Sequence, residues 1–196
     1  MSGMNPSLSE VIRMGVLREL ANLHTALPGR VEAYDPQTRL AKVKPLLRRM
    51  YEGESQAVDL PVISNVPVLH PRTANAQVSL PVAAGDCVLL IFCERSIDRW
   101  LELGGTVDPQ DAAMHSLNEA IAIPGLYPKG QPLALNGSEG SLEVGNGSSF
   151  IEIERDGAVS IRAAGAPATG VVTGACICAF TGAPHPDSSA NVKASR

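Results

Sequence analysis

Three short segments late in the chain alternate apolar and polar residues, yet hold too few side chains to enclose a core. They are Ser141–Val144, Phe150–Glu154 and Ala158–Ala163. Asn136-Gly137, Gly145-Asn146-Gly147 and Asp156-Gly157 mark the turns around them. A period of two sends every second side chain to one face of a strand. Ile151, Ile153, Val159 and Ile161 then form one stripe that calls for burial. Three strands with so few side chains cannot bury it by themselves. Further copies of the same segment would, so residues 131–170 are expected to build an intertwined oligomeric β-shaft.

The preceding residues read as a separate, self-sufficient body. Arg30–Tyr34 and Leu40–Leu47 alternate around Asp35-Pro36-Gln37-Thr38, a hairpin signal. Val58–Ile63, Val66–Leu69 and Gln77–Val82 follow as short strands. Cys87–Cys93 is a continuous apolar run and reads as a buried strand. Ile97–Leu103 is a further short element, Asp108–Ala120 a polar excursion with helical tendency, and Ile121–Leu126 a return to the sheet. Prolines at 61, 67, 71 and 81 keep strands short or at edges. Five or six short strands in so little chain suggest a small closed barrel of the oligonucleotide/oligosaccharide-binding type, an OB-fold.

One long helix is expected at the start, over residues 7–27. Ser7 and Glu10 have the spacing of a capping box, and Pro28-Gly29 would stop the helix. Leu8, Ile12, Val16, Leu20, Leu23 and Leu27 recur every three or four residues and make an apolar stripe. That stripe must cover either its own sheet or a neighbouring subunit.

Charge and motifs exclude several functions. Lys and Arg number 16 against 20 Asp and Glu, a net charge of −4, and no basic run exceeds Arg48-Arg49. A nucleic-acid partner is therefore not expected. Aromatic residues are only 4% of the chain, which also argues against a base-stacking groove. No stretch approaches the roughly 18 apolar residues of a membrane span, and no signal peptide is apparent, so synthesis in the cytoplasm is expected. Phosphate-binding glycine loops, the Gly-x-Ser-x-Gly elbow and His-Glu-x-x-His are all missing. Neither an enzyme nor a small-molecule substrate is expected.

Four cysteines do not make a disulfide framework. Cys87 and Cys93 read as small buried thiols. Cys176, Cys178 and His185 are the one cluster with metal-ligand chemistry: Cys-x-Cys places both thiols on one strand face and a histidine follows a turn. Thiolate plus imidazole suits zinc or iron. One chain supplies three such groups, one short of a closed tetrahedral site, so the site would be shared between chains.

Two longer runs carry a resemblance. Leu60–Arg72, with Leu60-Pro61-Val62-Ile63 and Val66-Pro67-Val68-Leu69-His70-Pro71, is the first. Leu80–Trp100, with Leu80-Pro81-Val82-Ala83-Ala84-Gly85-Asp86, is the second. With Met114-His115-Ser116-Leu117 and Ala122-Ile123-Pro124-Gly125-Leu126, they resemble the N-terminal domain of the central spikes of contractile phage tails. These are the membrane-piercing spikes of the baseplate assembly protein V class.

The resemblance implies a mainly β homotrimer: an OB-fold barrel, an intertwined three-stranded β-helix, and a pointed apex. The division expected for this chain is an N-terminal helix over 1–27, the OB-fold over 28–130, the shaft over 131–170 and the apex over 171–196. It further implies contact with baseplate hub and tail tube proteins, a transient meeting with the host outer membrane, and a place at the tail tip of the virion. Leu8, Ile12, Val16, Leu20 and Leu23 are the candidates for hub or trimer contact. Many spikes bind an axial iron through a His-x-His pair. Here His185-Pro186-Asp187 lacks the second histidine, whereas Pro184–Lys193 resembles the zinc-holding tips of PAAR-repeat spikes. A non-piercing hub component sharing the barrel is the alternative expectation, with an OB-type oligonucleotide- or sugar-binding module a further one.

Overall fold

The computed structural model describes residues 7–50, 55–109, 111–131, 139–162 and 182. The chain divides into two compact units, Met1–Pro132 and Leu133–Arg196. In the first, helix α1 (Leu8–Asn22) precedes strands β1 (Ala26–Asp35), β2 (Leu40–Pro45), β3 (Ile63–Pro67) and β4 (Cys87–Phe92), helix α2 (Asp98–Leu103) and strand β5 (Ala120–Pro124). The second holds β6 (Leu142–Asn146), β7 (Ser149–Ile153) and β8 (Val159–Arg162). The fold is mainly β.

α1 begins where the sequence places it. The Glu10 N–H donates to the Ser7 hydroxyl at 3.4 Å, and the Ser7 N–H donates to Glu10 Oε2 at 2.7 Å. Two of the helix's unpaired donors are thereby satisfied reciprocally. Its end differs from expectation. The helix stops at Asn22 rather than 27, with Leu23 already extended at ψ 113°. The reason is long-range: Ala26–Arg30 pair with Cys87–Ile91, so Pro28 and Gly29 lie inside β1 instead of ending a helix. Gly29 is required there by close packing. A Cβ at that position would sit 2.6 Å from Val43 Cγ1 and 3.0 Å from Leu90 Cδ1.

The five-stranded sheet has the order β3-β2-β1-β4-β5, each neighbouring pair antiparallel. The Asp35 side chain builds the β1–β2 turn, accepting from the Gln37 N–H at 2.9 Å and the Thr38 hydroxyl at 2.8 Å. Two irregularities curl the sheet. Between Val31 and Ala33, β1 carries one extra residue against β2, and a second slip separates the partners of Ala41 and Val43 on β3. Bulges of this kind bend a strand and increase its twist. The first also resets the alternation, so that Val31 is buried, Glu32 and Ala33 are exposed, and Tyr34 turns back toward the core. Asn65, at φ 58°, lies in the second.

The curl brings the edges together. Val68 bridges Ala122 in parallel, and the Leu69 N–H donates to the Ala122 carbonyl at 2.8 Å. Inside lie Val31, Val43, Ile63, Val66, Val88, Leu90 and Phe92, with Ala120 and Ala122 facing them from β5. Small side chains on β5 leave room for the bulkier ones opposite. This is a thin core of valines, completed within one chain.

Other segments depart from the sequence reading: Gln77–Val82, expected as a strand, forms none, and of Val58–Ile63 only Ile63 joins one, β3. Residues 98–103, expected only as a short element, form the helix α2. The stretch 108–119 contains no helix among its described residues; it is held by local turns, and its Glu119 accepts from the Ile97 N–H at 3.0 Å.

Two histidines should make the curled sheet acid-sensitive. His70 is buried, taking the Leu80 N–H at Nδ1 (3.4 Å) and facing the Tyr34 hydroxyl from Nε2 (3.2 Å). His24 packs its ring on Phe92, with centroids 5.2 Å apart. Burial lowers both pKa values below the ordinary 6.5, helped by Arg39 beside His70 and Arg49 beside His24. The unfolded chain therefore takes up these protons before the folded one does. Their contribution is full above about pH 6.5 and is lost as pH falls through the lower folded values. Denaturant midpoints should be flat above about pH 7 and decline from about pH 6.5 downward, with a shallower decline in His70→Gln. A midpoint unchanged down to about pH 5 would contradict this account.

Candidate interaction surfaces

The second unit displays an aliphatic grid. β6, β7 and β8 form an antiparallel sheet in that order. Register places Leu142 opposite Ile153 and Ile153 opposite Val159, and in the next row Val144 opposite Ile151 and Ile151 opposite Ile161. Tight turns fix this register. Gly147 takes φ 61° between β6 and β7, and the Ala158 N–H donates to Asp156 Oδ1 at 2.9 Å ahead of β8. Because strands alternate, all six aliphatic side chains share one face.

That face is open to solvent in the single chain: its six residues are 41–64% exposed. The opposite face is the covered one, with Phe150 and Glu152 buried. Phe150 lies across Gly145, where a Cβ would come within 2.6 Å of the Phe150 Cβ. The stripe Ile151, Ile153, Val159 and Ile161 is thus gathered on one face but not buried by its own chain. Leu142 and Val144 extend it. Their membership follows only from the cross-strand register, which the sequence spacing did not supply.

The second surface is α1. None of its residues is buried. Leu8, Ile12, Val16 and Leu20 lie on the helix, and Leu23 is its C-cap; all five are exposed. Val11, Met14 and Leu17 are exposed as well and form a second apolar row. The first row has the three-and-four spacing of a single helical stripe, and the second falls outside it. The base of the helix is tied to the sheet unit: Arg49 Nη2 donates to the Ala21 carbonyl at 3.0 Å and Asn22 Oδ1 at 2.6 Å, and the His24 N–H donates to the His115 carbonyl at 3.1 Å.

Metal chemistry is not assembled among the described residues, where no three His, Cys, Asp or Glu side chains converge. Cys176, Cys178 and His185 lie outside those residues. Of the described thiols, Cys87 is buried and Cys93 half-buried, and burial together with Glu119 pushes the Cys93 thiol pKa upward. No helix among the described residues is long and apolar enough to cross a membrane.

No curated protein matches the sequence. A protein-family profile does. The profile described as the phage protein Gp138 N-terminal domain matches residues 27–125. That range runs from the second residue of β1 to the residue after β5, and so takes in all but one residue of the curled sheet's strands and half of the chain. The chain is a phage protein and belongs to the Gp138 N-terminal domain family.

Proposed function

We propose that this phage structural protein is the central spike of a contractile tail baseplate. Three copies would assemble on the aliphatic grid, and the spike would cross the host outer membrane when the sheath contracts. The observation that carries the reading is the six-residue aliphatic face on β6–β8, exposed in one chain and too large an apolar area to leave wet. The edges of that sheet add to it, since among the described residues β6 and β8 each pair with one neighbour. Intertwining three chains would cover the face and pair the open edges between chains. A shaft bonded in this way resists axial compression, and its work is mechanical rather than catalytic.

The curled sheet, whose edge strands meet at Val68 and Ala122, is read as an OB-type barrel. The N-terminal region would dock it to the hub and tail tube. An apex metal, iron or zinc held by Cys176, Cys178 and His185 of the three copies, belongs to the same reading. Metal analysis of the full-length protein should then show its loss in His185→Ala. Placement is tested by labelling intact particles with an antibody raised against the chain. Electron micrographs should show label at the distal tip of the baseplate. Label along the tube or sheath, or absent from particles, would overturn the assignment.

A further inference from the structure

The chemistry around α1 separates two uses of that helix. A helix of fifteen residues is marginal alone in water, and one with an exposed apolar stripe is normally packed against a partner. At about 100° per residue, Ile12, Val16, Leu20 and Leu23 fall within an arc of about 80°. Charged residues border that arc on both sides, with Leu8 of the same stripe about 40° beyond Ile12, past Glu19. Glu19 lies about 20° beyond Ile12 and Arg13 about 20° beyond Leu20. The two flanks of one apolar face thus carry opposite charges.

Opposite flanks matter when copies of a helix pack in a ring. The right flank of one then meets the left flank of the next, so like charges would repel and unlike charges attract. Here Glu19 of one copy would approach Arg13 of its neighbour, offset by about 9 Å along the axis. Two long side chains can span that offset. A socket on a different protein gives no reason for this arrangement.

We infer that the Ile12–Val16–Leu20–Leu23 face of α1 packs against the α1 helices of two further copies of this chain, forming a parallel three-helix bundle. The inference rests on the trimer proposed above and assigns one face of the helix within it. Val11, Met14 and Leu17 remain on the outer side, free for the hub. The Arg49 and His115 bonds at the helix base hold each α1 to its own sheet unit, so bringing the units together raises the local concentration of the helices.

Site-directed disulfides in the full-length protein test this. Val16→Cys places a thiol at the centre of the inferred contact, and Met14→Cys places one about 160° away. The unsubstituted chain, with its four cysteines, sets the background. Under mild oxidation, Val16→Cys should form inter-chain pairs at least about tenfold faster than Met14→Cys. Adding Arg13→Glu to Val16→Cys should slow the reaction roughly threefold, and adding Glu19→Arg as well should restore it. Equal rates at the two positions, a faster reaction at Met14→Cys, or no restoration by the double charge exchange would overturn the bundle. Solution mass separates the two levels: a single copy removes the trimer itself, whereas three copies without the Val16→Cys cross-link remove only the bundle.

Discussion

Ile151→Asp is expected to take the protein from three copies to one without unfolding the chain. Ile151 stands at the centre of a grid row, between Val144 on β6 and Ile161 on β8, and is 45% exposed in the single chain. A carboxylate there keeps its water as long as the chain is alone. In the assembly it would be enclosed among aliphatic side chains at several kcal/mol per copy. Three copies carry that cost together, more than enough to break the association. Sedimentation of the variant against wild type should show the change in mass. Circular dichroism should show unchanged β content. Ser148→Asp, in the exposed turn between β6 and β7, is the charge control and should leave the mass as it is.

The second large effect belongs to the curled sheet. Leu90→Ala should destabilise it by about 3 kcal/mol, within the range of about 2–5 found for buried leucines. Leu90 is fully buried at the centre of β4, between the backbones of β1 and β5, and packs toward the space that Gly29 leaves open. The neighbouring side chains are mostly valines on stiff strands, which collapse poorly into a vacated volume. The loss should appear as a lower denaturant midpoint with little change in slope. A loss under about 1 kcal/mol would mean that the curled sheet repacks easily and that its thin core is not what holds it.

Local chemistry made some parts of this fold readable in advance. The Ser7–Glu10 capping box, the Asp35 turn and the apolar run of β4 each depend on residues close in sequence, and each took the form expected. The failures share a cause. Pro28-Gly29 looks like a helix stop, but pairing with Cys87–Ile91, some sixty residues away, captures that segment as strand. The Gly29 requirement comes from Val43 and Leu90 across the sheet, so nothing beside it in the chain announces it. Residues 77–82 alternate like a strand but contribute only the isolated Arg72–Gln77 bridge. Apolar alternation there found no continuous neighbouring edge to pair with.

The candidate surfaces were partly legible for the same reason. The alternation in 150–161 marks a face that wants covering, but only the β6–β7 register adds Leu142 and Val144 and turns a stripe into a grid. On α1, the three-and-four spacing of the first stripe leaves out Val11, Met14 and Leu17, which are exposed as well. Helical geometry then shows an apolar face flanked by Arg13 and Glu19, with a second row behind it.

The mass of the wild-type full-length chain in solution decides whether the grid is what joins copies of this protein. By native mass spectrometry the protein should weigh three times its 20.5 kDa chain and should keep that mass in mild detergent before heating. A species of one chain at the same concentration would contradict the account.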